Sequence, residues 1–106
     1  MATTFTANDV DGQLPTTKGT LYTCPSSTKT YVKSIVCHNT NAADQTVVLY
    51  KKKSGGTSRI IARVVLAQHE TLYFDDHLVL DAAGIIEGET TTSTAVDYNV
   101  SYVEEA

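Results

Sequence analysis

The sequence predicts an all-β chain, an antiparallel β-sandwich of jelly-roll-like character with about eight short strands. Three observations predict it. Short apolar runs follow one another from Thr20 to Val103, each closed by turn residues and spaced by roughly 8–12 residues, the rhythm of a sandwich. The last run alternates cleanly: Val96, Tyr98, Val100 and Tyr102 interleave with Asp97, Asn99 and Ser101, the period-two signature of a half-buried strand. Seventeen Thr among 106 residues suit a pleated surface better than a helix.

Residues 1–19 carry little apolar periodicity, with Phe5, Val10 and Leu14 as the only anchors and Pro15 as a breaker. They read as an N-terminal arm or irregular lead-in, which packs on its own domain or reaches a neighbour. Residues 20–106 read as a single domain, the usual unit for about 100–150 residues. Leu21-Tyr22-Thr23 is a short strand stopped by Pro25, and residues 26–29 turn the chain. A longer strand over Thr30–His38 ends at Asn39-Thr40-Asn41, whose side chains readily bond nearby backbone. Gln45–Lys53 is the next strand, and Ser54-Gly55-Gly56 supplies the positive-φ residues of a hairpin. Arg59–Ala67 is apolar on both faces, as expected of a buried or bulged strand. Shorter strands follow at Thr71–Phe74, Leu78–Leu80 and Ile85–Gly88, separated by the corners Asp75-Asp76-His77 and Asp81-Ala82-Ala83-Gly84.

Chemistry is sparse. Cys24 and Cys37 read as free thiols that pack as small core residues. His38, His69 and His77 have no paired spacing with Cys or carboxylate on one strand face, whereas zinc needs three or four converging ligands. The Ser and His present lack the Gly-x-Ser-x-Gly elbow of a hydrolase. No catalytic, metal-binding or cofactor-binding residue and no cofactor is therefore expected, and the chain is not expected to be an enzyme. The apolar runs are far shorter than the about 20 residues of a membrane span. Met1-Ala2-Thr3-Thr4 lacks the basic and apolar regions of a signal peptide, so synthesis in a cytoplasm is expected.

Charge is distributed unevenly. All eight Lys and Arg lie between Lys18 and Arg63, and nine of the twelve acids follow Arg63. Opposite charges of this kind attract neighbouring copies; solvated faces that keep a monomer soluble read the same way. Lys51-Lys52-Lys53 is the one dense basic run, at a hairpin tip. No aromatic pair flanks the lysines, and the acidic second half repels a nucleic-acid backbone, so no nucleic-acid partner is expected. The run reads instead as a solvated hairpin that also guards an edge against aggregation.

The order of motifs adds a resemblance. Leu21-Tyr22-Thr23-Cys24-Pro25 precedes Tyr31-Val32-Lys33-Ser34-Ile35-Val36, then Thr46-Val47-Val48-Leu49-Tyr50, Leu66-Ala67-Gln68-His69-Glu70-Thr71-Leu72 and Leu78-Val79-Leu80-Asp81-Ala82-Ala83-Gly84, closing on Val96–Glu104. Over residues 20–104 this resembles the small β-sandwich virion proteins of tailed bacteriophages, the group of capsid decoration (cement) proteins and small tail or baseplate components. The resemblance implies a protein on the capsid exterior, made in the host cytoplasm, whose partners are the major capsid protein and other copies of itself, as a homotrimer or a dimer. A tail module that binds a host glycan through an exposed Tyr platform is the alternative. No contact residue is carried over from the group. The residues singled out as partner contacts are Phe5 on the lead-in, Lys51, Lys52 and Lys53 at the hairpin tip, and Tyr98 and Tyr102 on the last strand.

Overall fold

The computed structural model describes residues 3–106. Among them the chain forms nine strands: β1 (Phe5–Gln13), β2 (Gly19–Thr23), β3 (Lys29–Asn39), β4 (Gln45–Lys52), β5 (Arg59–Leu66), β6 (Thr71–Phe74), β7 (Leu78–Leu80), β8 (Ile85–Glu89) and β9 (Val96–Glu105). They build two antiparallel sheets. The first runs β1-β9-β3-β6, with β7 also on β3, and the second runs β2-β8-β4-β5. Strand β7 pairs with Thr30–Val32 and β6 with Ile35–His38. These two are halves of one interrupted strand, broken at the corner Asp75-Asp76-His77. Counted so, eight strands wrap between two four-stranded layers, and every connection except the β4–β5 hairpin and the β6–β7 corner crosses from one sheet to the other. That is the jelly-roll-like sandwich predicted, with an elongated shape of 52 × 25 × 20 Å.

The core lies between the layers. Val32, Ile35 and Cys37 of β3 and Val96 and Val100 of β9 face Val47 and Leu49 of β4 and Ile86 of β8, all fully buried. Burying apolar surface at roughly 25 cal/mol per Å² is what joins the layers. Both cysteines are buried free thiols, as expected. Gly88 keeps the layers close: a Cβ there would meet Leu21 at 2.9 Å and Leu14 at 3.0 Å. Gly55, at φ 69°, supplies the left-handed residue of the β4–β5 hairpin.

Three expectations are revised. Within the lead-in over residues 1–19, the first two of which lie outside the described residues, Phe5–Gln13 is a strand: β1 pairs with β9 without a register shift from Phe5↔Glu105 to Gln13↔Asp97. Its composition hid it, because an edge strand at a sandwich rim needs few apolar residues. Strand β5 is bulged, with the register shift falling between Leu49 and Tyr50 on its partner. It is not a buried strand, however, but the outermost strand of its sheet. The lysine run lies at the end of β4, which has β5 on one side and β8 on the other, so it guards no sheet edge.

The two ends of the sandwich are built differently. At one end the β1–β2, β3–β4, β5–β6 and β8–β9 connections bond one another, through Leu14 N–H to Val96 O, Thr40 N–H to Ala95 O, His69 N–H to Asn39 O and Thr90 N–H to Pro15 O. At the other end lie the β2–β3 connection, the β4–β5 hairpin and the β7–β8 turn. There Cys24 N–H bonds Gly84 O at 2.8 Å and Ala83 N–H bonds Cys24 O at 3.0 Å.

Candidate assembly surfaces

Strand periodicity decides which side chains are offered to a partner. On β3 and β9 the inward set is Thr30, Val32, Ile35, Cys37, Asn39 and Val96, Tyr98, Val100, Tyr102. The intervening residues therefore line the outer face of the first sheet. Register then assembles a row of apolar side chains across all four strands: Ala7 beside Val103, Val103 beside Tyr31, and Tyr31 beside Val79. A second, shorter pair, Val36 with Tyr73, lies further along. Val79 is 45% and Tyr73 67% exposed, and Phe5, next to Ala7 on that face and 64% exposed, extends the row. Cross-strand apolar neighbours of this kind form one patch rather than scattered contacts. The polar groups beside it hold one another. Tyr31 donates to Glu105 Oε1 at 2.7 Å, Asn99 to Asp9 Oδ2 at 2.7 Å and Gln13 to Asp97 Oδ1 at 3.1 Å. The bond to Glu105 pushes the Tyr31 hydroxyl above its ordinary pKa, because it favours the protonated phenol.

The outer face of the second sheet is different. Tyr50 donates to Glu89 and Ser58 to Glu87, and the Lys18 ammonium lies 5.2 Å from the Tyr50 ring centroid, within cation–π range. The bond to Glu89 raises the Tyr50 pKa. Apolar exposure is confined to β5, where Ile60 and Val65 are 56% and 57% exposed. At the hairpin end Lys51, Lys53 and Arg59 rim a hollow of about 500 Å³ whose lining includes Ile61. A second hollow of about 410 Å³ joins Lys51 and Lys53 to Val79 and the β7–β8 turn.

The residues singled out from sequence separate into two groups. Phe5 and Lys53 are exposed, and Lys51 and Lys52 are partly so. Tyr98 is half-buried, and its hydroxyl pKa is raised by desolvation. Tyr102 belongs to the core: it is 9% exposed and its ring lies 4.2 Å from that of Tyr22, tilted by 40°. It therefore presents little surface to a partner, because the inward face of β9 is covered by the opposite sheet. Phe5 and the lysines lie toward the same end of the sandwich. Tyr73, Val79, Ile60 and Val65 were not singled out. Their signal was present in the apolar runs, but only the register shows that these members point outward. A tyrosine platform is not assembled, since Tyr73 is the one exposed tyrosine of the six. The His38 and His69 rings stack with centroids 6.2 Å apart. Among the described residues no group of three or more His, Cys, Asp or Glu gathers as a metal site, and no helix is long and apolar enough to cross a membrane.

No protein-family model matches the chain, and no curated protein matches its sequence. Solved structures do match its fold. A chain from Bacillus endospore appendages, described as a novel family of disulfide-linked pili, superposes with a TM-score of 0.60 at 12% identity, covering 96% of this chain and 86% of that one. A chain from the acidic stable capsid of Helicobacter pylori bacteriophage KHP30 gives 0.57 at 8% identity, covering 99% and 92%. A chain of infectious bursal disease virus, Gx strain, gives 0.59 at 11% identity over 99% of this chain and 33% of its own length. The shared feature is the fold.

Proposed function

We propose that this chain is a structural protein of a bacteriophage virion: a capsid decoration (cement) protein that binds the outer surface of the shell as an oligomer and stabilises it. The observation that carries the reading is the open apolar row across the first sheet, on a sandwich whose fold matches a phage capsid chain over nearly the whole of both chains. A row spanning four strands suits a broad, shallow contact with another protein wall. Several copies held together bind such a wall far more tightly than one, through effective concentration. The fold is also that of an appendage subunit described as disulfide-linked. Here both cysteines are buried and unsuited to joining chains, which favours the shell reading over a disulfide-linked fibre.

Imaging of intact particles tests the location, with density for this chain expected on the outside of the head. Purified virions lacking the chain are expected to lose infectivity at a lower temperature than intact ones. Unchanged heat resistance would remove the stabilising role, and density on the tail together with binding on a glycan array would replace it with receptor recognition.

A further inference from the structure

The Lys51-Lys52-Lys53 run divides between two faces of the fold. On β4, Val47 and Leu49 are fully buried, so Lys51, two residues further along, points to the same inward side. Its neighbour on β8 is Ile86, a fully buried core residue, and its neighbour on β5 is Arg59. The apolar stem of Lys51 thus covers the end of the core, with its ammonium at the mouth of the space between the layers. Both hollows at the hairpin end are lined by Lys51 and Lys53, and neither by Lys52, as strand alternation requires. The lining of the larger, about 500 Å³, brings Lys51, Lys53 and Arg59 together with Thr57 and Ile61 and holds no carboxylate. The smaller adds one acid, Asp81. The corner acids Asp75 and Asp76 line neither hollow, and Glu87 and Glu89 of β8 accept from Ser58 and Tyr50 on the outer face of that sheet.

The β5 bulge builds this cluster. Leu49 pairs with Ala62 and Tyr50 with Ile60, so Ile61 is the extra residue. Without it, Ile60 would stand opposite Lys51. With it, Arg59 takes that place and Ile60 turns to the outer face. Bulges commonly re-aim a side chain beside a functional site. The result works against folding on its own, because Lys51 and Arg59 are direct cross-strand partners, and like charges so placed are destabilising. An anion between them reverses the sign of that contribution. We infer that this mouth is a binding site for a compact multivalent oxyanion, of the phosphate or carboxylate kind, clamped by Lys51, Lys53 and Arg59. Ammonium and guanidinium groups form short charge-assisted bonds to such oxygens, and the guanidinium fork suits two of them at once. The inference does not rest on the shell-binding role, since the apolar row lies on the outer face of the first sheet and the hollow opens between the layers.

Isothermal titration of the full-length chain at low salt tests it, with sodium tripolyphosphate and separately with a hexaglutamate peptide. At least one probe is expected to bind, and to bind more weakly as salt rises, because exposed charges are screened beyond about 8 Å at physiological ionic strength. Lys51→Gln and Arg59→Gln are each expected to weaken binding by about tenfold, the worth of one bond to a charged group. Lys52→Gln removes the same charge from the outer face and is expected to change binding less than about twofold. Thermal melts of the free variants show that they fold. Relief of the repulsion predicts that Lys51→Gln melts no lower than wild type at low salt, and Arg59→Gln, at an exposed position, carries the test if Lys51→Gln does not fold. Tighter binding of tripolyphosphate assigns the site to a free phosphate compound, and tighter binding of the peptide to an acidic protein segment; either supports the site. Binding of neither probe, or a loss on Lys52→Gln equal to that on Lys51→Gln, overturns the inference.

Discussion

The two ends of the sandwich solve the same problem with different chemistry. Where the β1–β2, β3–β4, β5–β6 and β8–β9 connections meet, buried amides tie the loops together. Asn39 is fully buried, and its Nδ2 donates to Ala43 O at 3.0 Å, Leu66 O at 2.9 Å and Ala67 O at 3.1 Å, while its Oδ1 accepts Asn41 N–H at 2.8 Å. Gln45, equally buried, accepts Thr92 N–H at 2.9 Å and donates to the Thr92 hydroxyl at 3.2 Å. At the opposite end two backbone bonds join Cys24 to the β7–β8 turn, and the β4–β5 hairpin closes on itself through Gly56 N–H to Lys53 O at 2.8 Å. One end is locked by buried amide side chains that reach across the fold. The other is joined by backbone bonds and by Tyr22, whose hydroxyl donates to Glu104 Oε2 at 2.5 Å, and it carries the lysines and the basic hollow.

Four measurements break or sharpen that contrast, beginning with the largest effect. Asn39→Ala is expected to lower stability by about 3 kcal/mol in urea titrations, because it strands three carbonyls of the β3–β4 and β5–β6 connections at once. A loss below about 1 kcal/mol would mean that the loops lock without it. Gln45→Ala is expected to cost about 2 kcal/mol by the same mechanism, with its effect coupled to that of Thr92→Ala in a double-mutant cycle. Alkaline titration probes the core between the ends. Burial pushes the Cys37 thiol from 9.0 up to about 12, so the folded state holds a proton that the unfolded chain releases above pH 9. Stability is thus full below about pH 9 and falls as pH rises toward 12, by up to about 1.4 kcal/mol per pH unit. In Cys37→Ala that slope should be shallower, and an unchanged slope would assign it to the tyrosines. The smallest effect is a gain at the open end. Ala83 sits at φ 65°, where a Cβ is strained, so Ala83→Gly is expected to stabilise by about 0.5 kcal/mol once the added freedom of the unfolded chain is offset. A loss instead would show that the turn is limited by chain entropy.

Most strands were legible because they bury one face or both. Gln45–Lys52 and Val96–Glu105 expose their periodicity directly, and Pro25, Gly55 and Asn39 mark where neighbouring strands stop. Strand β1 was not legible. Its inward positions, Thr6, Asn8, Val10 and Gly12, lie at the rim of the sandwich, and only Val10 is a large apolar residue. Asn39 was read as a side chain that turns its own backbone, which it does through Asn41. Its bonds to Leu66 and Ala67, 27 and 28 residues away, leave no trace in local sequence. Tyr102 and Tyr73 show the same limit for surfaces. Both are tyrosines in apolar runs, yet one is covered by the opposite sheet and the other faces solvent.

The sequence by itself determined the all-β class, the strand boundaries from β2 onward, the free buried cysteines and the division of charge at Arg63. These follow from local rules: a pleat alternates every two residues, turns need particular backbone angles, and charge is additive along the chain. Only the tertiary structure decided that β1 is a strand, that β5 and not β4 is an edge, and that an apolar row crosses four strands. Each of these depends on register between segments distant in sequence, and register is set by how the two layers bury their faces together.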